Sequence, residues 1–331
     1  LPNLNDTGLG LMEISHRSPA FGEIVDSAKS RIRAVLSIPK DYHVLLLQGG
    51  ASLQFCMLAQ NLLQGGVADY LDTGTWSTKA FKEALLFGSP REAWSGRETG
   101  YRRVPTDDDW TESEDSIYTH YTSNNTISGT QYHTPPKGAH LVCDMSSDIA
   151  SRPIDGSQFD LIYAGAQKNL GPSGVTVIAI SPWAVERSDP KLPSMLRYRL
   201  HVEKDSLFNT PNTLGIWVLN EVLGWIESQG LEQVAATNQR KASKLYTLLD
   251  SSDFWLPHAK EDSRSQMNVT WRLAEPDLEK VLVAEAAEAG FSGIKGHRSV
   301  GGLRASIYNA CPESSVDSLR SFLQEFERTR G

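Results

Sequence analysis

The sequence predicts an α/β protein, in which a large domain with a mostly parallel central sheet precedes a smaller α+β domain. Three observations lead to this fold class. Short apolar runs alternate with amphipathic segments over the first two-thirds of the 331 residues. The last third has its own short succession of strand-like and helix-like segments. The chain length also suits two domains, or one large domain with a smaller appendage.

The elements of the large domain follow from periodicity and residue type. Short apolar runs with β-branched or aromatic residues predict strands, and apolar residues spaced three or four apart predict helices. The predicted strands are 43–48, 67–72, 116–121, 139–145, 159–164 and 175–180. The predicted helices are 52–63, 76–87, 213–228 and 231–250.

The small domain is predicted to contain two strands and two helices in alternation. The strands are MNVTWRL and LRASIYN, and the helices are DLEKVLVAEAAEAG and SSVDSLRSFLQEFERT. We therefore expect a large domain over residues 1–240 and a small domain over 241–331. The polar, turn-rich stretch 95–115 is expected to be a surface connection.

Composition excludes several classes of function. A net charge of -8 and a pI near 5.5 argue against nucleic-acid binding, and no apolar stretch reaches membrane-spanning length. The N-terminus lacks the apolar core of a signal peptide. The histidines and cysteines show no metal-binding spacing, so no metal is expected. The scattered Cys56, Cys143 and Cys311 fit a reducing compartment, which we take to be the cytoplasm, and each is expected to be buried in apolar surroundings.

Lys168 stands in a loop of unusually small residues. The loop YAGAQKNLGPSG, residues 163–174, connects two predicted buried strands. Small residues let another group approach the backbone closely. A solvated lysine in an ordinary connection is the alternative reading, and the loop alone does not decide between them.

Other polar features lie at or near strand ends. The turn 48–52 opens a helix, so its backbone N–H groups could bind a single phosphate. Asp144 ends a strand, where it could hold a protonated heterocyclic nitrogen. Trp76 could stack on a flat ring, and Thr126 could donate a hydroxyl. The alternatives are a turn capped by Ser52, a turn or cap aspartate, and a core tryptophan.

Five basic side chains come from far-apart segments. His and Arg are paired at two places, and a further arginine follows the second pair. Arginine binds carboxylate or phosphate through a planar fork, and histidine adds a donor. Together these groups suit a phosphorylated acid, although each pair could also be a surface loop feature. The residues are His16, Arg17, His297, Arg298 and Arg304.

The combination matches the needs of pyridoxal 5'-phosphate. This cofactor requires a Schiff-base lysine, an acid at its pyridinium nitrogen and an anchored phosphate. Lys168, Asp144 and the 48–52 turn supply these groups. Once free of the cofactor, the lysine amine could carry the substrate's α-proton.

Four motifs resemble a known family. They are MEISHR (12–17), SRPID with the lysine loop (151–174), FNTP (208–211) and KGHRSVGGLRASIYNA (295–310). With these motifs the chain resembles, over essentially its whole length, the phosphoserine aminotransferase family. That family lies within the class V branch of fold-type I pyridoxal-phosphate enzymes.

The resemblance implies a role for each motif residue around the cofactor. Lys168 would form the Schiff base and Asp144 would pair with the pyridine nitrogen, while Trp76 would stack on the ring. Thr126 would bond the phenolic oxygen. The phosphate would be held by Ala51, Ser52, Gln167 and, from the partner subunit of a homodimer, Asn209 and Thr210.

The resemblance also implies a reaction and its substrates. An amino group would pass reversibly from glutamate to 3-phosphohydroxypyruvate, giving O-phosphoserine and 2-oxoglutarate in serine biosynthesis. His16, Arg17, His297, Arg298 and Arg304 would bind the substrate's anionic groups, some of them across the dimer interface. Another class V transaminase, a cysteine desulfurase or a catalytically impaired cofactor-binding protein are the alternatives.

The chain departs from the family pattern in two places. Family members usually begin with a segment containing an SGP-type motif, whereas this chain starts beyond it without an initiator Met. We expect a truncated, processed or incompletely represented chain, with substrate closure affected more than cofactor binding. The phosphate turn reads GGAS, where many relatives are richer in glycine or carry an arginine, so its side-chain contacts are expected to differ.

Overall fold

The structure is a computed structural model that describes residues 8–298 and 300–331. Its strands are β1 His43–Leu47, β2 Val67–Asp72, β3 Ser89–Ser95, β4 Ser116–Thr122, β5 Asn124–Asn125, β6 Thr130–Gln131, β7 Leu141–Asp144, β8 Leu161–Gly165, β9 Thr176–Ile180, β10 Trp255–Pro257, β11 Asn268–Leu273 and β12 Leu303–Ser306. Its α-helices are α1 Pro19–Val35, α2 Gly50–Leu62, α3 Thr75–Ala84, α4 Pro182–Glu186, α5 Tyr198–Glu203, α6 Thr213–Gln229, α7 Leu231–Leu249, α8 Leu278–Glu288 and α9 Glu313–Arg330.

A seven-stranded sheet forms the centre of the molecule, in the order β1-β9-β8-β7-β4-β2-β3. Strands β3, β2, β4, β7 and β8 run parallel, and only β9 opposes its neighbours β8 and β1. The prediction of a mostly parallel sheet is confirmed. The C-terminal ends of the parallel strands and of β1 therefore lie at one edge, together with the start of β9.

Helices cover both faces of this sheet, which is why its strands are apolar on both sides. One apolar cluster joins α1 and α6 to one face, with Phe21 and Leu223 among its members. A second cluster joins α2 and α3 to the opposite face through residues such as Leu58 and Ala80.

The C-terminal part has its own antiparallel sheet, in the order β10-β11-β12. Helices α7, α8 and α9 pack on it in a third apolar cluster that includes Leu245, Trp271, Leu282 and Leu323. Helix α7 runs across the predicted division between residues 240 and 241, and we keep that division as a proposal.

Several elements are absent from the sequence prediction. Helix α1 begins after Ser18, whose hydroxyl accepts a hydrogen bond from the N–H of Phe21 at 3.3 Å. Strands β3 and β10 lie at sheet edges and contain Pro90 and Pro257. Proline weakens a strand signal, yet it is tolerated at an edge because one side of the strand needs no partner.

The expected burial of all three cysteines is wrong for two of them. Cys143 is buried in β7, whereas Cys56 and Cys311 are only half-buried. Cys56 lies on the partly exposed side of α2, and Cys311 follows β12 at the rim of the third cluster. None of the helices described in the structure is both long enough and apolar enough to cross a membrane.

Candidate active site

Lys168 lies in a hairpin loop between β8 and β9. The loop is closed at its base by a hydrogen bond of 3.0 Å from the N–H of Ala166 to the carbonyl of Val175. Lys168 is half-buried, and this burial lowers the pKa of its ammonium group. Arg304 lowers that pKa further, while Asp144 opposes the shift. The half-burial of the side chain disfavours the alternative of a solvated lysine.

Asp144 ends β7, next to the strand that leads to Lys168. Its side chain is 4% exposed, and Oδ1 accepts a hydrogen bond of 2.9 Å from the N–H of Ser146. Burial raises the pKa of this carboxyl group, and the charge of Lys168 partly offsets the rise. A buried carboxylate of this kind is stabilised by a cationic N–H partner. The alternative interpretation of Asp144 as a turn aspartate is also correct, because its side chain accepts the N–H of Ser146 within the turn. Asp144 therefore stabilises the turn and also interacts with Lys168.

Trp76 and Thr126 are joined directly, although fifty residues separate them in the chain. The indole Nε1 of Trp76 donates a hydrogen bond of 3.1 Å to Oγ1 of Thr126. The Lys168 ammonium lies 5.9 Å from the centroid of the Trp76 ring, and that of Lys79 lies 4.7 Å from it. The flat ring, the hydroxyl and the amine predicted from the sequence therefore belong to one site.

Thr126 belongs to a small buried hairpin, since β5 and β6 pair on either side of it. The hairpin touches the turn before α3 at Gly74, where the backbone has a φ of +153°. A Cβ atom at Gly74 would lie 2.7 Å from Oδ1 of Asn125. Glycine is thus required for the two segments that carry Trp76 and Thr126 to meet.

Arg304 brings the C-terminal sheet to this site. Its Nη1 donates a hydrogen bond of 3.1 Å to the carbonyl of Thr126. Its Nε is buried and has no hydrogen-bond partner among residues 8–298 and 300–331. A half-buried arginine whose buried Nε has no partner is suited to bind an anionic ligand.

The predicted phosphate turn lies at the start of α2. The helix begins at Gly50 rather than at residue 52, and the preceding Gly49 has a left-handed φ of +92°. Ser52 is therefore in the first helical turn and does not cap it, while Ala51 is half-buried and Ser52 exposed. The backbone carbonyl of Thr210 accepts a hydrogen bond of 3.1 Å from Nε2 of Gln48. The FNTP segment of the same chain thus lies beside this turn.

The remaining predicted residues lie further out. Gln167 is exposed, and Asn209 is half-buried with Nδ2 donating to the carbonyl of Thr210. His16 and Arg17 precede α1, and no hydrogen bond or ion pair of the described residues links either of them to Lys168. His297 is half-buried and Arg298 exposed in the segment before β12. The single chain therefore brings together Lys168, Asp144, Trp76, Thr126 and Arg304, but not the whole predicted set.

Two residues near the site were not predicted from the sequence. Asp72 ends β2 as Asp144 ends β7, and it hydrogen-bonds to the first turn of α3. Asn169 follows Lys168 and accepts a hydrogen bond of 3.1 Å from the N–H of Asn309. The position of Asp72 at a strand end was the available signal, whereas Asn169 carries no signal without the fold.

The residues present fit pyridoxal phosphate. The site offers a half-buried amine with a lowered pKa, a buried carboxylate that gains from a cation, and an indole beside the amine. The hydroxyl of Thr126 and the unpartnered Nε of Arg304 complete the site. No group of three or more metal-ligating side chains is found within the described part of the chain.

The chain belongs to the class-V aminotransferase family, and the sequence model of that family matches residues 5–319. Within this family it is similar to phosphoserine aminotransferases. That of Desulfotalea psychrophila is 49% identical over 98% of this chain and 91% of its own length. That of Lysinibacillus sphaericus is 49% identical over 99% and 92%, respectively.

Solved structures agree with the sequence comparisons. The phosphoserine aminotransferase of Bacillus circulans subsp. alkalophilus has a TM-score of 0.96 and 48% identity, covering 99% of this chain and 92% of that one. The phosphoserine aminotransferase of Trichomonas vaginalis, solved with bound PLP, has a TM-score of 0.90 and 34% identity over 97% and 92%. The fold is therefore the fold-type I architecture that the resemblance implied.

Proposed function

We propose that this protein is a pyridoxal-phosphate-dependent phosphoserine aminotransferase. It transfers an amino group reversibly between glutamate and 3-phosphohydroxypyruvate, giving O-phosphoserine and 2-oxoglutarate for serine biosynthesis. The observation that carries the proposal is the half-buried Lys168, with its lowered pKa, between Asp144 and Trp76 at the sheet edge.

When bound, the cofactor supplies a conjugated ring that stabilises negative charge at the substrate's Cα. Asp144 would hold a positive charge at the ring nitrogen, since its buried carboxylate needs a cationic partner. Trp76 would stack on the ring, and Thr126, whose Oγ1 accepts a hydrogen bond from the indole, would offer its hydroxyl to the cofactor.

Lys168 then acts as the proton carrier. Its lowered pKa increases the fraction of neutral amine at physiological pH, and only the neutral amine can accept a proton from Cα. The closed hairpin base at Ala166 and Val175 limits the movement of the loop and keeps the Nζ atom near the site.

The anionic groups are bound at the rim of the site. The N-terminus of α2, with Ala51 and Ser52, favours the cofactor phosphate, with Gln167 beside it. Arg304 has the clearest support as a substrate-carboxylate ligand, because its Nε is buried and unpartnered. We assign the substrate phosphate to His16, Arg17, His297 and Arg298, which lie outside the buried centre.

We also propose that the active molecule is a cytoplasmic homodimer. His16 and Arg17 form no hydrogen bond or ion pair with Lys168 among the described residues of one chain. A second copy would complete the site with these residues. Its Asn209 and Thr210 would add to the FNTP segment of the same chain, which already lies beside the phosphate turn. The three free cysteines support a reducing compartment.

A coupled assay tests the reaction. The protein should convert 3-phosphohydroxypyruvate and glutamate at least about a hundredfold more efficiently than hydroxypyruvate and glutamate, since charge pairs at a built site carry several kcal/mol. Equal use of both keto acids would overturn the substrate assignment. Lys168→Ala should abolish turnover and leave the fold intact, and undiminished transamination by this variant would overturn the mechanism.

Two rival functions are separated by simple measurements. Cys311 packs at the third cluster and its thiol lies 3.8 Å from the carbonyl oxygen of Pro312, an arrangement that does not favour a desulfurase. Release of sulfide from cysteine would nevertheless identify one. A catalytically impaired protein would bind the cofactor but show no absorbance change on mixing with glutamate, whereas we expect the spectrum of the aminated cofactor.

A further inference from the structure

Asp72 is a buried carboxylate that accepts hydrogen bonds from two segments, the start of α3 and the chain at the end of β3. It is 0% exposed at the C-terminal end of β2. Its Oδ1 accepts hydrogen bonds from the hydroxyls of Ser77 and Thr78, at 3.0 and 2.8 Å. Its Oδ2 accepts from Ser95 and Tyr101, both at 3.0 Å. The guanidinium of Arg97 adds a bond of 3.2 Å to Oδ2.

The Oδ1 contacts fix the first turn of α3, which carries Trp76. Ser77 and Thr78 are the two residues that follow Trp76, and both are held by the same oxygen. The Ser77 hydroxyl also accepts the backbone N–H groups of Thr73 and Gly74, both at 2.9 Å. Segment 72–78 is therefore a closed hydrogen-bonded unit that fixes the backbone from which the indole projects, while the bond from Nε1 to Thr126 restrains the ring itself.

The Oδ2 contacts tie this unit to the chain beyond β3. Ser95, Arg97 and Tyr101 belong to the stretch that the sequence presents as a surface connection, yet all three reach the buried carboxylate. Ionised Asp72 satisfies more donors than a neutral side chain of its size can accept. The arrangement thus depends on the negative charge.

We propose that Asp72 is a positioning residue that acts through Trp76 and sets the angle at which the indole meets the cofactor ring. The proposal rests on the proposed function, because it assumes that Trp76 covers pyridoxal phosphate. Asp72 itself touches neither Lys168 nor Thr126 by any hydrogen bond described, so its influence on the site passes through α3.

The same strand provides a matched control. Asp69 is also 0% exposed, and it accepts hydrogen bonds from Arg91 at 2.8 Å and from the N–H and hydroxyl of Ser113 at 2.7 and 2.9 Å. Neither partner of Asp69 adjoins a site residue. Asp69→Asn therefore measures what a buried carboxylate in β2 contributes to folding alone.

The experiment compares Asp72→Asn with Asp69→Asn. Both apo proteins should melt at a lower temperature than the wild type. Asp72→Asn should raise the cofactor dissociation constant about tenfold, as the loss of a charge-assisted bond at a positioned group implies, and Asp69→Asn by less than about twofold. Cofactor titration followed by the absorbance of the bound cofactor gives the constant without any turnover measurement, and it serves the Trp76→Ala background as well.

A double-mutant cycle identifies the route. If Asp72 acts through Trp76, Asp72→Asn should weaken cofactor binding by less than about twofold in a Trp76→Ala background. An undiminished effect there, or equal weakening by the two Asp variants, would overturn the proposal. Thr78→Val, with Ser113→Ala as its control, repeats the comparison with milder changes if Asp72→Asn does not fold.

Failure of the wild-type protein to bind pyridoxal phosphate would overturn the proposed function, and the positioning role with it. If the wild type binds the cofactor normally and Asp72→Asn and Asp69→Asn have the same dissociation constant, only the positioning role is overturned.

Discussion

Lys168 and Asp144 are both kept in the folded chain at a free-energy cost. Burial lowers the pKa of the amine and raises that of the carboxyl group, and their mutual attraction offsets only part of each shift. Each charged form is therefore less favourable in the folded protein than in the unfolded chain. A ligand that consumes the amine and presents a cation to the carboxylate relieves both costs together.

This cost makes the stability of the apo protein depend on pH. The folded pKa of Lys168 lies below its ordinary value of 10.5, so the unfolded chain binds more protons between these two values. The penalty is complete below the folded pKa and disappears as pH rises towards 10.5. We expect apo Lys168→Met to be more stable than wild type at pH 7.5, and this advantage to shrink steadily towards pH 10.5. Urea unfolding of both proteins across this range measures the difference, and a constant difference would contradict it.

Asp144→Asn separates the charge of this residue from its place in the turn. The amide oxygen can still accept the N–H of Ser146, so the apo fold should persist. Without the charge, turnover should fall by about a hundredfold or more, as is typical when a preorganised charge is removed. Steady-state kinetics with glutamate, at saturating cofactor, provides the measurement. Turnover within about twofold of wild type would show that the charge is not needed.

At the scale of elements, the turn before α3 and the β5–β6 hairpin fit together only because residue 74 is glycine. Its φ of +153° and the 2.7 Å approach of Asn125 Oδ1 to a Cβ atom combine backbone strain with a direct clash. Asn125 also donates a hydrogen bond of 2.6 Å to the Thr73 hydroxyl, so it cannot move away freely. The contact therefore transmits any change in one element to the other.

Gly74→Ala should consequently affect both stability and the site. We expect a destabilisation of about 2–4 kcal/mol, since strain and overpacking each cost about 1–3 kcal/mol. Gly65→Ala is the control, because Gly65 also has a positive φ, of +85°, but a Cβ there meets nothing within 4 Å. Gly65→Ala should lower the free energy of unfolding by about half as much as Gly74→Ala and leave cofactor affinity unchanged. Urea unfolding and cofactor titration measure the two effects. Equal costs would contradict the proposed clash.

The extent of prediction from sequence differs among the elements. The strands that carry Asp144 and Lys168 are compact apolar runs, so both the sheet edge and these two residues could be predicted. The hydrogen bond between Trp76 and Thr126 could not, because it requires β2 and β4 to be neighbours in the sheet. Strand β3 was missed because Pro90 and two charged residues hide a strand that is stabilised only by its pairing with β2.

At the scale of the whole molecule, a buried asparagine network joins the C-terminal part to the lysine loop. The N–H of Asn309 donates to Oδ1 of Asn169 at 3.1 Å, and its side chain donates to the carbonyl of Ala150 at 2.8 Å. Asn238 of α7 donates to the Asn309 side chain at 2.8 Å. Because Asn169 follows Lys168, the C-terminal part helps to fix the reactive amine.

Asn309→Ala should therefore destabilise the protein by about 1–3 kcal/mol, because the Ala150 carbonyl loses its bond to the Asn309 side chain and Asn238 keeps only its bond to the Ser151 carbonyl. The backbone N–H that bonds Asn169 remains in this variant, but its segment loses the side-chain bonds that anchor it, so cofactor affinity should fall as well. Ser321→Ala, on the exposed face of α9, is the control, and its free energy of unfolding should stay within about 0.5 kcal/mol of that of the wild type. Chemical denaturation and cofactor titration measure both effects. Unchanged affinity for Asn309→Ala would show that the network serves folding alone.

The reversed direction of β9 has a consequence for how the site assembles. Because β8 and β9 pair through the short loop 166–175, the Lys168 segment needs only a small loop closure, with low entropic cost. The meeting of Trp76, Thr126 and Asp144 instead requires parallel strands and long crossovers, which form slowly. We expect the lysine hairpin to be protected from hydrogen exchange early in refolding, and the surrounding pocket to close around an amine that is already in position.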